Sequence, residues 1–221
     1  MSKTLKVLPV KRLKQQEKKK LNEYLQQPPF MLSIVAPPRS GKSNLIMNLI
    51  YNDNFYRDCF EDIYVFSPTV NLDETLHKLN EDDTVIKITE VKEMDSYIDE
   101  IIKQQNEDED RKDILIVLDD CLGHIGESLT NLSTRYRHYK ISIIISIQSF
   151  RSIPLIIRNC TSEYIIFKSN NKKELDKYMQ ELGNGFENFA TRYEQATREK
   201  YSFVVLDLRK MQMLKSFTKE I

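Results

Sequence analysis

The chain is poor in cysteine and histidine, carries no net charge and has no long apolar run, and each shortage removes a class of protein. Cys59, Cys121 and Cys160 are odd in number and widely spaced, with neither a C-x-x-C pair nor a histidine at zinc spacing. That excludes a disulfide framework or a structural zinc and predicts a reducing, intracellular compartment. His77, His124 and His138 are scattered and read as surface or cap residues rather than ligands. With 33 basic residues against 33 acidic ones, any contact with a polyanion must come from a local patch and not from the overall field. No stretch reaches the ~18 apolar residues that a membrane span needs, and the N-terminus has no apolar signal core, so the expectation is a soluble protein with no membrane span. Internal repeats and low-complexity segments are also absent. At 221 residues the length suits one α/β domain with a small appendage.

What is present is concentrated in residues 31–50, MLSIVAPPRSGKSNLIMNLI, an apolar strand, a turn and a helix in direct succession. Residues 31–35 suit a buried strand, and Leu45, Ile46, Leu49 and Ile50 recur at helical spacing. Between them, Ala36-Pro37-Pro38-Arg39-Ser40-Gly41-Lys42-Ser43 is a Walker A pattern in which Ala36 takes the place of the first glycine. Backbone N–H groups of Pro38–Asn44 at a helix N-terminus attract phosphate oxygens; of these residues Arg39, Ser40, Gly41, Lys42, Ser43 and Asn44 carry an N–H. Lys42 can reach the β- and γ-phosphates of ATP, and the Ser43 hydroxyl can ligate Mg²⁺. Gly41 permits close backbone approach, whereas alanine at position 36 tolerates a positive φ poorly.

Residues 1–20 hold eight Lys/Arg against Glu17 alone. We assign 1–24 to a basic N-terminal arm, able to touch nucleic acid phosphates or to lie as a solvated rim, and 25–221 to a P-loop domain. Strands are predicted over 62–67, 85–89, 113–121, 141–147, 163–168 and, as the last, 201–208. Helices are predicted over 72–80, 93–105, 128–139, 153–159, 171–182 and 186–198. This alternation predicts an α/β fold, with a mostly parallel central sheet flanked by helices on both faces. Residues 106–110 (NEDED) read as a solvated loop.

Three further segments carry chemistry. DILIVLDDC at 113–121 is a buried strand that delivers Asp119 and Asp120 at its carboxyl end, the Walker B arrangement. Asp119 is expected to hold Mg²⁺ together with Ser43, and Asp120 to orient or deprotonate the attacking water. The next apolar strand, ISIIISI, ends on Gln148, placed as a sensor of the γ-phosphate. Arg137, just before that strand, is the candidate arginine finger for a neighbouring subunit's nucleotide, with Arg135 in reserve. A helix C-terminus complementing its own dipole is the plainer reading of both arginines.

The run RHYKISIIISIQSFRSIPLIIRN, with APPRSGKS and ILIVLDD, resembles the genome-packaging ATPases of large double-stranded DNA viruses and virophages, the poxvirus-type branch of the FtsK–HerA superfamily. The resemblance covers most of residues 30–170. It implies an additional-strand, RecA-like P-loop NTPase fold and ATP hydrolysis with Mg²⁺. It also implies a homo-oligomeric ring, a pentamer or hexamer, that moves double-stranded DNA into a capsid, docked on a capsid or portal-vertex protein. The setting it implies is the host cytoplasm, in a viral factory, or association with the virion. Residue by residue it assigns Lys42 and Ser43 the phosphate and metal roles, Asp119 the Walker B role, Gln148 the sensor role and Arg137 the finger role. Asp120 departs from the glutamate common in the superfamily. Two alternatives stay open: a cellular or plasmid DNA translocase of the same superfamily, and a small nucleotide or nucleoside kinase, which would need an arginine-rich lid for which Arg192 and Arg198 are the candidates.

Overall fold

Runs of β-branched residues without polar alternation dictate the centre of the molecule, because a strand apolar on both faces must be covered on both. The computed structural model describes residues 20–221 except Val70, Asn71, Asp73, Asp82, Asp83, Thr89, Glu90 and Leu122. In chain order the elements are β1 (Met31–Val35), α1 (Lys42–Tyr51), β2 (Asp62–Phe66), β3 (Val85–Ile88), α2 (Met94–Glu107), β4 (Ile114–Asp119), α3 (Glu127–Arg135) and β5 (Ile141–Ile147). There follow α4 (Leu155–Cys160), β6 (Glu163–Phe167), α5 (Lys172–Glu181), α6 (Phe189–Ala196), β7 (Phe203–Asp207), β8 (Gln212–Lys215) and β9 (Lys219–Glu220). Every residue of β1, β4, β5 and β6 is buried. Each isoleucine so removed from water stabilises the fold by about 1.5–3 kcal/mol relative to an exposed one.

Among the described residues the strands form a single sheet in the order β3-β2-β4-β5-β1-β6-β7-β8-β9. Pairing is parallel from β3 through β6 and antiparallel from β6 onward. β5 therefore lies between the P-loop strand β1 and the aspartate-bearing strand β4, the additional-strand order. Because successive side chains point to opposite faces, β4 and β5 feed two cores. Ile116, Leu118, Ile143 and Ile145 meet Met94, Ile98 and Leu129 on one face, while Leu115, Val117 and Ile144 meet Ile46, Leu49 and Tyr56 on the other.

Several expectations change at this level. β7 is not the last strand: Gln212–Lys215 and Lys219–Glu220 add two antiparallel strands, so the sheet is less uniformly parallel than alternation of elements predicts. The segment predicted as a helix over 72–80 is a 3₁₀ helix, Glu74–Glu81. α3 stops at Arg135, so Arg137 stands in the following turn and not in the helix. The proposed arm lies, for residues 1–19, outside the described residues; Leu21 and Tyr24 already pack against the core, ahead of the expected boundary at 25.

At the N-terminal edge of β6, Glu163 pairs in register with Asp207 of β7, and both are buried. Asp207 accepts the backbone N–H groups of Arg209 and Lys210 at 2.8 and 3.0 Å and the amide of Gln26 at 3.3 Å. Glu163 Oε2 has no hydrogen-bond partner. Burial first, and the charge of Asp207 second, push the Glu163 carboxyl up to about 8. A carboxyl whose folded value is raised binds its proton more tightly folded than unfolded. Stability therefore falls as pH rises from about 4.5 to about 8, by up to about 1.4 kcal/mol per pH unit, and levels off above. Glu163→Gln is expected to flatten that slope in denaturant titrations at pH 5, 6.5 and 8; an unchanged slope would show that Glu163 is ionised throughout.

Candidate active site

The C-terminal edge of the parallel strands is where backbone ends and helix starts converge, and here β1, β4 and β5 each deliver one part of the site. After β1 the chain stays paired for one more residue, the Ala36 N–H donating to Ile147 at 2.9 Å, and Ala36 is fully buried. The left-handed conformation that glycine serves falls instead on Arg39 (φ 62°) and Gly41 (φ 96°), which explains why Ala36 is compatible with the turn. Gly41 is the N-cap of α1, so the first amides of that helix face the turn.

Lys42 projects from the first turn of α1 across β5 to the end of β4. Its ammonium stands 3.2 Å from Asp119 and 2.7 Å from Asp120, with the lysine side chain only 12% exposed. Asp119 is the last residue of β4 and is buried. Asp120 turns to φ 52°, a conformation that aspartate tolerates better than most residues, and this aims its carboxylate back at the lysine. Burial raises the Asp119 carboxyl above its ordinary value; the nearby Lys42 opposes the shift and the Asp120 charge adds to it. The same burial, with both aspartate charges, raises the Cys121 thiol to about 12, so this cysteine is an inert donor to the Phe66 carbonyl at 3.1 Å.

Gln148, one residue past β5, donates from Nε2 to Asp120 Oδ2 at 3.4 Å. The loop behind it is fastened by a residue that sequence reasoning passed over. Glu174 of α5, buried, accepts from the Ser149 hydroxyl at 2.6 Å and from the Phe150 N–H at 2.9 Å. No local pattern marks it, because its partners are more than twenty residues away.

These groups open onto a cavity of about 780 Å³. Pro38, Arg39, Gly41, Lys42, Ser43 and Asn44 line one side, with Asp120 and Gln148; Phe55, Phe167, Tyr201, Phe203 and Phe217 line the other. Ser40 Oγ, Lys42 Nζ and Asp119 Oδ1 are buried without an aligned hydrogen-bond partner, the ion pairs of Lys42 notwithstanding. A cradle of helix-start amides, a lysine, a hydroxyl and an acidic pair with unused polar atoms fits a triphosphate and its divalent cation. Among the described residues no group of three or more His, Cys, Asp or Glu side chains could hold a metal by protein ligands alone. No helix among them is long and apolar enough to cross a membrane.

Arg137 lies elsewhere. It precedes β5 at the opposite edge of the sheet, separated from the cradle by a strand of seven residues, about 20 Å. Its Nε donates to the Tyr136 hydroxyl at 3.1 Å, and Arg209 approaches the same hydroxyl at 3.4 Å. Arg135 ends α3 at that edge too, exposed. Arg192 and Arg198 do not line the cavity, which leaves the kinase lid without its candidates.

A family model described as the poxvirus A32 protein matches residues 17–184. The fold is similar to that of the genome packaging NTPase B204 from Sulfolobus turreted icosahedral virus 2 in complex with ATP-gammaS. That match has 13% identity over 86% of this chain and 97% of the other, with a TM-score of 0.61. B204 described as the DNA-packaging ATPase from Sulfolobus turreted icosahedral virus matches at 14% identity over 85% and 97%, with a TM-score of 0.61. The cytoplasmic domain of the Thermomonospora curvata type VII secretion ATPase EccC matches at 15% identity over 66% of this chain and 20% of that one, with a TM-score of 0.51. No curated protein sequence matches the chain significantly.

Removing either end of the lysine–aspartate contact tests the site. Lys42→Ala and Asp120→Asn are each expected to lower ATP turnover at least about a hundredfold with the fold intact by circular dichroism. Turnover at the parental rate in both variants would move the reacting centre elsewhere.

Proposed function

The chain belongs to the poxvirus A32 protein family, and on that premise we propose that it is an ATP-driven motor subunit that hydrolyses ATP to move double-stranded viral DNA into a capsid. The observation that carries this reading is the meeting of Lys42, Asp119, Asp120 and Gln148 at the carboxyl ends of adjacent parallel strands, beside a helix N-terminus and an open cavity. The B204 proteins, which share the fold, are a genome packaging NTPase seen with ATP-gammaS and a DNA-packaging ATPase.

Without a triphosphate, one ammonium faces two carboxylates. When phosphates fill the cradle, Lys42 exchanges Asp120 for the β- and γ-oxygens, and the turn amides and the Ser40 hydroxyl donate to the remaining oxygens. Ser43 and Asp119 are the residues that would hold Mg²⁺, which would supply neutralisation of the phosphate charge. Asp120, released from the lysine, accepts the proton of the attacking water or orients it. Gln148, already on Asp120, can donate to the γ-phosphate and accept from that water, so it reports whether the phosphate is present. Glu174 fixes the loop on which it sits.

Arg137 cannot serve its own cradle from the far edge of the sheet, so a finger role requires a second protomer. A homo-oligomeric ring supplies one: each nucleotide would be completed by the next subunit, coupling hydrolysis to movement between neighbours. Tyr136, holding Arg137 and approached by Arg209, supports a pre-set guanidinium at that edge, as does the Tyr136 ring 5.4 Å from the Arg137 carbon. DNA would be gripped through its phosphates without regard to sequence. A capsid or portal-vertex protein as dock, and the host cytoplasm as setting, complete the proposal.

Steady-state ATP hydrolysis, measured across a protein concentration series with and without duplex DNA, tests it. Stimulation by DNA, with activity rising faster than linearly in protein, is expected; activity linear in protein and indifferent to DNA would remove the motor reading. In the same assay Arg137→Ala is expected to bind ATP but lose turnover, and mixing it with Lys42→Ala subunits is expected to restore part of it. Mixtures no more active than their components would rule out the trans arrangement.

A further inference from the structure

Four phenylalanine rings stand beside the phosphate cradle at the margin of one core, Phe167 within it and Phe55, Phe203 and Phe217 packed against it. Phe167 and Phe203 lie 5.1 Å apart, Phe203 and Phe217 5.7 Å, and Phe217 and Phe55 5.2 Å, forming a continuous aromatic wall. They come from the end of β6, the start of β7, the β8–β9 turn and the segment after α1. Phe55, Phe203 and Phe217 are only partly buried, and all four line the same cavity as Lys42 and Ser43. The ring surface still open to the cavity gains further hydrophobic stabilisation when an apolar or planar group covers it.

Tyr201 closes the opening between this wall and the P-loop. A Cβ added at Gly41 would stand 3.4 Å from the tyrosine ring, so the ring lies over the side of the turn that the glycine leaves bare. Tyr201 is 58% exposed and held at φ 65°, a conformation unfavourable for a bulky residue. Residues kept in such conformations while exposed cluster at ligand clamps. Lys200 lies 4.7 Å over the same ring. Beyond the P-loop, the polar lining described on this side is Asn48 and Thr75. The Asn48 amide is engaged with the Asn44 carbonyl at 2.8 Å and with Asn52 at 3.2 Å, and a threonine hydroxyl donates or accepts equally well.

We propose that Phe55, Phe203 and Phe217, closed by Tyr201, form a nucleobase subsite that grips a purine by its ring faces and not by its hydrogen-bonding edge, so that the protein uses GTP as well as ATP. This rests on the P-loop reading of the cradle and adds the base to it. Stacking accepts any purine because every base presents a π-face. Strong rejection of one base over another needs paired donors and acceptors, and beyond the P-loop the described side-chain lining on this side offers only the Asn48 amide and two hydroxyls, of Thr75 and Tyr201, each able to donate or to accept.

The test is binding by the full chain, with Mg²⁺, of ATP, GTP and inorganic tripolyphosphate, which has no base. The parent is expected to bind ATP and GTP within about tenfold of each other. Phe217→Ala and Tyr201→Ala are expected to weaken both nucleotides by on the order of tenfold and to leave tripolyphosphate unchanged. Phe217→Tyr and Tyr201→Phe, which keep a ring, are expected to retain parental affinity. Equal losses for tripolyphosphate, unchanged ATP affinity in the alanine variants, or a preference for ATP over GTP beyond about a hundredfold would each overturn the proposal. Turnover indifferent to DNA would sink the motor reading and leave these affinities standing, whereas a parent that binds neither ATP nor tripolyphosphate removes the cradle and this subsite together.

Discussion

One ammonium shared by two carboxylates, at the mouth of a sheet that excludes most water, is the contact around which the rest of the molecule is arranged. Lys42 must leave the first turn of α1 and meet Asp119 and Asp120 across an intervening strand. That is possible only if β1, β5 and β4 are parallel, adjacent and in register, as the pairs Val35–Ile147 and Asp119–Ser146 show. The apolar strands supply that rigidity: β4 and β5 are buried along their whole length, so neither can slide by one residue without sending its isoleucines to the wrong face. Local electrostatics then depends on global packing. The burial that raises Asp119 is the work of the same two cores that hold the strands.

The site divides by chemistry along the sheet. Toward β4 lie the charges and Gln148, whose loop is fastened from behind by Glu174; toward β7 and β9 lie the aromatic rings. A nucleoside triphosphate has the same polarity, anionic at one end and planar at the other. The antiparallel hairpins after β6 are therefore more than an edge finish, since they place Phe203 and Phe217 where the parallel sheet alone would leave the cradle open to solvent. Arg137 and Arg209 meet at Tyr136 on the far edge of the sheet, away from the lysine–aspartate cluster.

The sequence read well wherever chemistry is local. The strand–turn–helix at 31–50, the aspartates ending an apolar strand and the glutamine ending the next were all legible, because a few consecutive residues determine each and burial only confirms them. Positions needing a distant partner were not. Ala36 looked like a strained substitution until the turn's positive φ angles were seen to fall on Arg39 and Gly41. Glu174 and the Phe55–Phe203–Phe217 wall carry no pattern, since their contacts join residues far apart in the chain. The final strands escaped notice because the segment 212–220 is short and mixed in character, and its pairing with β7 comes from tertiary docking rather than periodicity.

By itself, then, the sequence determined a phosphate-binding turn, two strand-end chemistries and an α/β alternation, because hydrophobic runs and turn residues act over a few positions. Only the tertiary structure decided that β5 separates β1 from β4, that Lys42 reaches both aspartates, that Arg137 stands at the far edge and that aromatic rings from four segments converge beside the cradle. Strand order and long-range side-chain meetings arise from burying two cores at once, and no short window of residues contains that constraint.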